Sequence, residues 1–89
     1  MRMFTKDPAA VKDYEWNWAP WLGADTINQI TFVTTEGLSV DNYFEKSGVI
    51  IAWISGGTEG SETGLVRCTI DTVAGRTDVK SARFRIEDQ

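Results

Sequence analysis

Eighty-nine residues, 42% hydrophobic and 25% charged, fit one globular domain, leave no room for a second and do not make disorder the default. The net charge of −4, with no Lys/Arg cluster against it, argues against a nucleic-acid partner. A single cysteine excludes an intrachain disulfide, and the absence of histidine excludes a His-ligated zinc site and any Ser-His or Cys-His catalytic pair. The opening MRMFTKDPAAV has no apolar h-region, so no signal peptide is expected. The longest apolar run, nine residues, is too short to span a membrane. The protein is therefore expected to be made in the cytoplasm and to stay there, or to leave inside something assembled there.

Residues 1–13 are polar and broken by Pro8, and read as an extended N-terminal arm or a flexible lead-in, with room for one helical turn over Pro8–Val11 capped by Asp7. The rest, residues 14–89, reads as a single domain. Tyr14, Trp16 and Trp18 alternate with polar residues, the pattern of a half-buried strand that Pro20 ends. Trp21 and Leu22 begin a short turn closing at Gly23, with Trp21 expected to fold back as a plug over one end of the core. A second strand is expected over Ile27–Thr34, with Ile30 and Phe32 on one face and Gln29 and Thr31 on the other. After a Glu36-Gly37 turn, Leu38, Val40 and Phe44 supply the apolar positions of a third strand.

The stretch VIIAWISGG, Val49 to Gly57, organises the chain: its β-branched bias, its length and its Gly-Gly end predict a central core strand. Ile50, Ala52 and Ile54 point to one face, and Val49, Ile51 and Trp53 to the other. The polar, Gly-rich residues 58–64 suit a loop crossing between sheets. Val66, Cys68 and Ile70 point inward from the next strand, Ala74-Gly75-Arg76 turns a hairpin, and Ala82, Phe84 and Ile86 point inward from the last. Six to seven short antiparallel strands with no helical stripe predict an all-β, immunoglobulin-like β-sandwich.

Asp7, Asp13, Asp25 and Asp41 lack the close alternating spacing of a calcium loop and read as solvated turn carboxylates. No metal and no cofactor is expected, and no nucleophile–base pair or phosphate loop is visible, so no catalytic residue is assigned. Cys68 reads as a small core residue. The rings of Tyr14, Trp16, Trp18, Trp21 and Trp53 admit a sugar-stacking platform, but Trp16 and Trp18 read better as core. Trp53 and Ile51, opposite in parity to the inward set, are the seed of a protein–protein interface unless the N-terminal arm covers them.

Three segments, KDPAAVKDYEWNWAPWLGADTI, AWISGGTEG and AGRTDVKSARFRI, resemble in order and spacing a family of small tailed-bacteriophage virion proteins of the fiber-tail adaptor type. The matching positions are Lys6, Asp7, Pro8, Asp13, Tyr14, Trp18, Trp21, Leu22, Asp25, Thr26 and Ile27, then Trp53 to Thr58, then Gly75 to Asp78. The chain departs from the family pattern at Phe32, where a Trp is usual, and at Gly64-Leu65, where a Tyr follows the link. The resemblance implies an Ig-like sandwich without enzymatic activity, built into a virion in symmetric multi-copy form. Its partners would be tail, fiber or portal-proximal proteins. It would join a tail fiber to the tail or lie at the head–tail junction. A capsid decoration protein and a carbohydrate-binding module are the alternatives. The interface residues expected on this reading are Ile51 and Trp53, with Tyr14 and Trp21 at their margin, and Phe4, Lys6, Asp7 and Pro8 of the arm.

Overall fold

In the computed structural model, which describes residues 3–88, the chain forms two stacked sheets. The first two residues of the expected arm and the last residue of the expected domain lie outside the described residues. In chain order the elements are β1 (Met3–Lys6), β2 (Lys12–Asn17), α1 (Ala19–Leu22), β3 (Ile27–Thr34), β4 (Leu38–Lys46), β5 (Val49–Gly56), β6 (Gly64–Thr72) and β7 (Thr77–Ile86). One sheet has the order β1-β7-β6-β3, the other β2-β5-β4. This is a β-sandwich, with its core where the two inner faces meet. Strands two to seven are divided between the sheets as in an immunoglobulin constant domain. The first strand lies instead beside the last, and parallel to it.

The alternation read along the sequence sets which side chains form the core. Ile50, Ala52 and Ile54 of β5, Val66, Cys68 and Ile70 of β6, and Ala82, Phe84 and Ile86 of β7 are all buried, with Trp16, Trp18, Leu22 and Leu38 closing the cluster. β5 is the central strand of its sheet, between β2 and β4. Residues 57–63 carry the chain from that sheet to the other, as their glycine content predicts. Burial pushes the Cys68 thiol up to about 12, consistent with a packed, unreactive residue.

Four expectations change. The arm is not a separate lead-in: Met3–Lys6 form an edge strand in register with Arg83–Ile86, and β2 already begins at Lys12, before the expected boundary at residue 14. Pro8–Val11 is not helical. Asp7 closes a tight turn there, its carbonyl accepting from the Ala10 amide at 3.0 Å and its Oδ1 from the Ala9 amide at 2.8 Å. Trp21 is 39% exposed, and the plug is its neighbour Leu22. The reason is the one-turn helix, which rotates adjacent side chains apart and sends Leu22 under the Ser47-Gly48 turn. Finally, the register of β4 on β5 shifts between Val40 and Asn42, so that Asp41 forms a bulge. Beyond it the parity reverses: Tyr43, opposite Ala52, takes the inner side at the sheet edge, where it stays 45% exposed with its ring centroid 5.1 Å from that of Phe32, and Phe44, opposite Ile51, turns outward.

The Gly-Gly end of β5 is a backbone requirement. Gly56 has φ 74°, and a Cβ there would lie 2.5 Å from the Gly37 carbonyl oxygen. Gly56→Ala is expected to lower stability by about 1–3 kcal/mol, read from urea midpoints, through left-handed strain and that clash. An unchanged midpoint would show that the β3–β4 connection yields freely.

Candidate protein–protein interface

On the outer face of the three-stranded sheet, β5 presents Val49, Ile51 and Trp53, all partly exposed. The bulge in β4 brings Phe44, 48% exposed, opposite Ile51, where its ring stacks on Trp53 with centroids 6.0 Å apart and planes 30° from parallel. β2 sets Asp13 opposite Trp53 and Glu15 opposite Ile51 on the same side. Asp41 also reaches this face, accepting a 2.8 Å hydrogen bond from the Ser55 hydroxyl. Lys46, paired with Val49, is its cation. The result is an apolar, aromatic strip with an acidic rim.

The eight residues expected at an interface do not gather into one surface. Ile51 and Trp53 stand together on this strip. Tyr14 does not border it, because it pairs with Ala52 and so faces inward, its ring edge-on to Phe4 and Phe84 at 4.7 Å from each. Phe4 faces the same interior from β1. Lys6 is fully buried. Asp7 and Pro8 form the turn between the sheets, and Trp21 lies at the opposite end of the molecule. Phe44 is the member that sequence reading placed on the wrong face. A bulge leaves no mark in hydrophobic periodicity, so its signal was absent.

Many of the residues that carry the family resemblance meet across space, in two clusters at the two ends of the strands. At one end Lys6 Nζ donates to the Gly56 carbonyl at 2.7 Å and the Asp7 carbonyl at 3.0 Å, joining the KDP and SGGT segments. Burial lowers the Lys6 pKa, with Asp7 opposing that shift. At the other end the Trp18 indole N–H donates to Asp78 Oδ2 at 2.8 Å. Beside it Asp25 joins the DTI and GRTD segments. It accepts from the Thr26 amide at 2.9 Å, the Ala74 amide at 3.1 Å and Arg76 Nε at 3.1 Å. Arg76 in turn donates to the Leu22 carbonyl at 3.0 Å, satisfying the open end of α1, and lies 4.1 Å over the Trp21 ring. These contacts fasten the sandwich at its poles.

The Thr72 hydroxyl first, then the Ala74 and Thr26 amides and the Arg76 guanidinium, hold the Asp25 carboxyl down to about 2 from an ordinary 3.8. A carboxylate depressed in the folded state stabilises it above the unfolded pKa, and that contribution is lost as pH falls through the folded pKa. Asp25→Asn is thus expected to be less stable than wild type at neutral pH, with the gap closing between about pH 4 and pH 2. Paired urea titrations across that window check it, and a gap that stays constant with pH would exclude an ionic role.

Among the described residues no group of three His, Cys, Asp or Glu side chains is placed to hold a metal ion. No helix of the described residues is long and apolar enough to cross a membrane. Clamped poles, a packed core and an apolar sheet face define the class: a small β-sandwich module with one aromatic outer face. Over residues 6–85 the chain matches the family described as podophage GP4 fiber-tail adaptor protein gp77, and it belongs to that family. This bears out the resemblance seen in the sequence, and makes the chain a phage structural protein of the virion. No curated protein matches it.

Proposed function

We propose that this protein joins a tail fiber to the tail of the virion as one of several symmetry-related copies, without catalysis. The carrying observation is the family match over nearly the whole chain. The physics of the fold supports it: a sandwich fastened at both ends keeps its shape under load, and its aromatic strip suits a lasting protein contact. Tail, fiber and portal-proximal proteins are the partners this reading calls for.

Cross-linking mass spectrometry on purified virions tests the role. Lys12, Lys46 and Lys80 are exposed on β2, β4 and β7 and report on different sides of the molecule. Cross-links to both a tail protein and a fiber protein are the expected result. Cross-links confined to the major capsid protein would overturn the adaptor reading in favour of a decoration protein.

A further inference from the structure

Four strands lie at sheet edges among the described residues, β1 and β3 in one sheet and β2 and β4 in the other. An edge strand offers unpaired backbone amides and carbonyls to any other strand, and proteins blunt such edges with shortness, charge or a bulge. Three of these edges are blunted in that way. β1 is four residues long, β2 carries Lys12, Asp13 and Glu15, and β4 carries Asp41, Glu45 and Lys46 with a bulge at Asp41. β3 differs. Its eight residues, INQITFVT, include no charge and no proline and are rich in β-branched side chains. Past an irregularity at Asn28 they run in regular register from Gln29 to Thr34.

The hydrogen-bond pattern fixes which backbone groups are open. The Thr35 amide donates to the Leu65 carbonyl at 3.0 Å, and on the other side of β6 the Thr72 amide donates to the Arg76 carbonyl at 2.8 Å. Odd-numbered residues of β6 thus serve β3, and even-numbered ones serve β7. By the alternation of an antiparallel pair, Gln29, Thr31 and Val33 bond to β6, while Ile30, Phe32 and Thr34 turn their amides and carbonyls to the open side. Beside this edge, between the two sheets, runs a groove of about 360 Å³ lined by Phe32, Thr34, Val40 and the half-exposed Tyr43.

We infer that two copies of this chain pair edge to edge through β3, antiparallel about a two-fold axis at Phe32. In that register Ile30 of each copy lies opposite Thr34 of the other, the two Phe32 residues face each other, and Thr31 lies opposite Val33. The open amides and carbonyls of each strand then meet those of the other. On the inner side, Ile30 of each copy reaches the other's groove beside Thr34, and the Phe32 rings form a cross-strand aromatic pair. On the outer side, the exposed Thr31 and Val33 cover one another. A second copy is the occupant that suits this edge, because β3 is itself an uncharged, β-branched strand of matching length and sets no charge against its own image. The side of the sandwich that carries it, up to 42 Å long and 18 Å deep between Cα extremes, is of the order of the ~800 Å² per partner that specific interfaces use. The pairing joins two four-stranded sheets into one continuous sheet. It concerns two copies of the isolated chain and goes beyond the joining role proposed above.

Light scattering and amide hydrogen exchange test the pairing. Wild type is expected at twice the 9.9 kDa chain mass, and more firmly dimeric as salt screens the net charge of −4 on each chain. The amides of Ile30, Phe32 and Thr34 are expected to exchange slowly in the dimer and fast in a monomer, while those at positions 31 and 33 stay slow in both. The double variants Thr31→Lys, Val33→Lys and Thr31→Glu, Val33→Glu each set like charges across the axis, and each alone is expected to be a monomer. Mixed together they set Lys opposite Glu, and the expected product is a 1:1 heterodimer. Both positions are exposed, so the variants separate loss of contact from loss of folding, which circular dichroism checks. A wild type still monomeric at about 1 mM, the weak end of specific association, overturns self-pairing and leaves the edge to a strand of another protein. A dimer that survives either double variant, or that leaves the Ile30, Phe32 and Thr34 amides fast, overturns β3 as the contact. Failure of the mixture to pair overturns the antiparallel register. None of these results alters the virion cross-links that test the joining role.

Discussion

Trp18→Ala is expected to leave the protein close to unfolded at physiological temperature. The ring is fully buried, at 0% exposure, where β2 gives way to α1. Its truncation is a large-to-small core change of the kind that costs about 3–5 kcal/mol. A domain of this length has roughly 4–13 kcal/mol in total. Two further side-chain links are lost with the ring: its indole N–H donates to Asp78 Oδ2 at 2.8 Å, and Lys80 Nζ lies 5.1 Å over it. Trp18→Phe separates packing from polarity. It keeps most of the ring volume and removes the indole donor, leaving Asp78 without that partner, for an expected loss of about 1–3 kcal/mol. Thermal melts resolve this easily, since each kcal/mol shifts Tm by about 4–8 °C in a domain of this size. A Trp18→Ala variant that melts within a few degrees of wild type would show that the pole is not a unit of the fold.

Lys6→Ala is the second large effect, expected to cost about 2–4 kcal/mol. The stem is buried among core residues, and the ammonium donates to two carbonyls, one of them fifty residues away. Removing it exposes a void and leaves the Gly56 and Asp7 oxygens without a charged donor. Lys6→Met keeps the stem and lacks the charge, so it should recover the packing share and retain a deficit of about 1–2 kcal/mol. The pH response identifies the ammonium. Because burial lowers the folded pKa below the ordinary 10.5, the unfolded chain binds more protons in that window. Wild type should gain stability as pH rises from the folded value toward 10.5, and Lys6→Met should lack that gain. Equal alkaline responses in the two proteins would place the ammonium in water.

Lys6 also bears on assembly. β1 pairs with β7 of its own chain, and its inward residues Phe4 and Lys6 are occupied there, Phe4 stacking on Phe84 at 5.6 Å. An arm lent to a neighbouring subunit would first have to give up these contacts.

Most of the fold was legible in the sequence because a half-buried strand writes its environment at a period of two. The inward sets of β5, β6 and β7 follow from alternation alone, as does the outward parity of Ile51 and Trp53. The family too was legible, since its motifs are short and keep their order. What alternation cannot carry is an event that breaks the period or joins distant segments. The Asp41 bulge exchanged the faces of Tyr43 and Phe44 by inserting one residue, which no count of apolar positions detects. Lys6 reads as a surface charge, and only the approach of the Gly56 carbonyl from β5 makes its burial tolerable. Asp25 and Arg76 stand 51 positions apart, and their pairing depends on α1 and the β6–β7 hairpin converging at one pole. The sequence by itself determined the class of fold, the core strands and the family. The tertiary structure alone decided which residues share a surface, because register, bulges and strand order bring side chains together across distances that local periodicity does not encode.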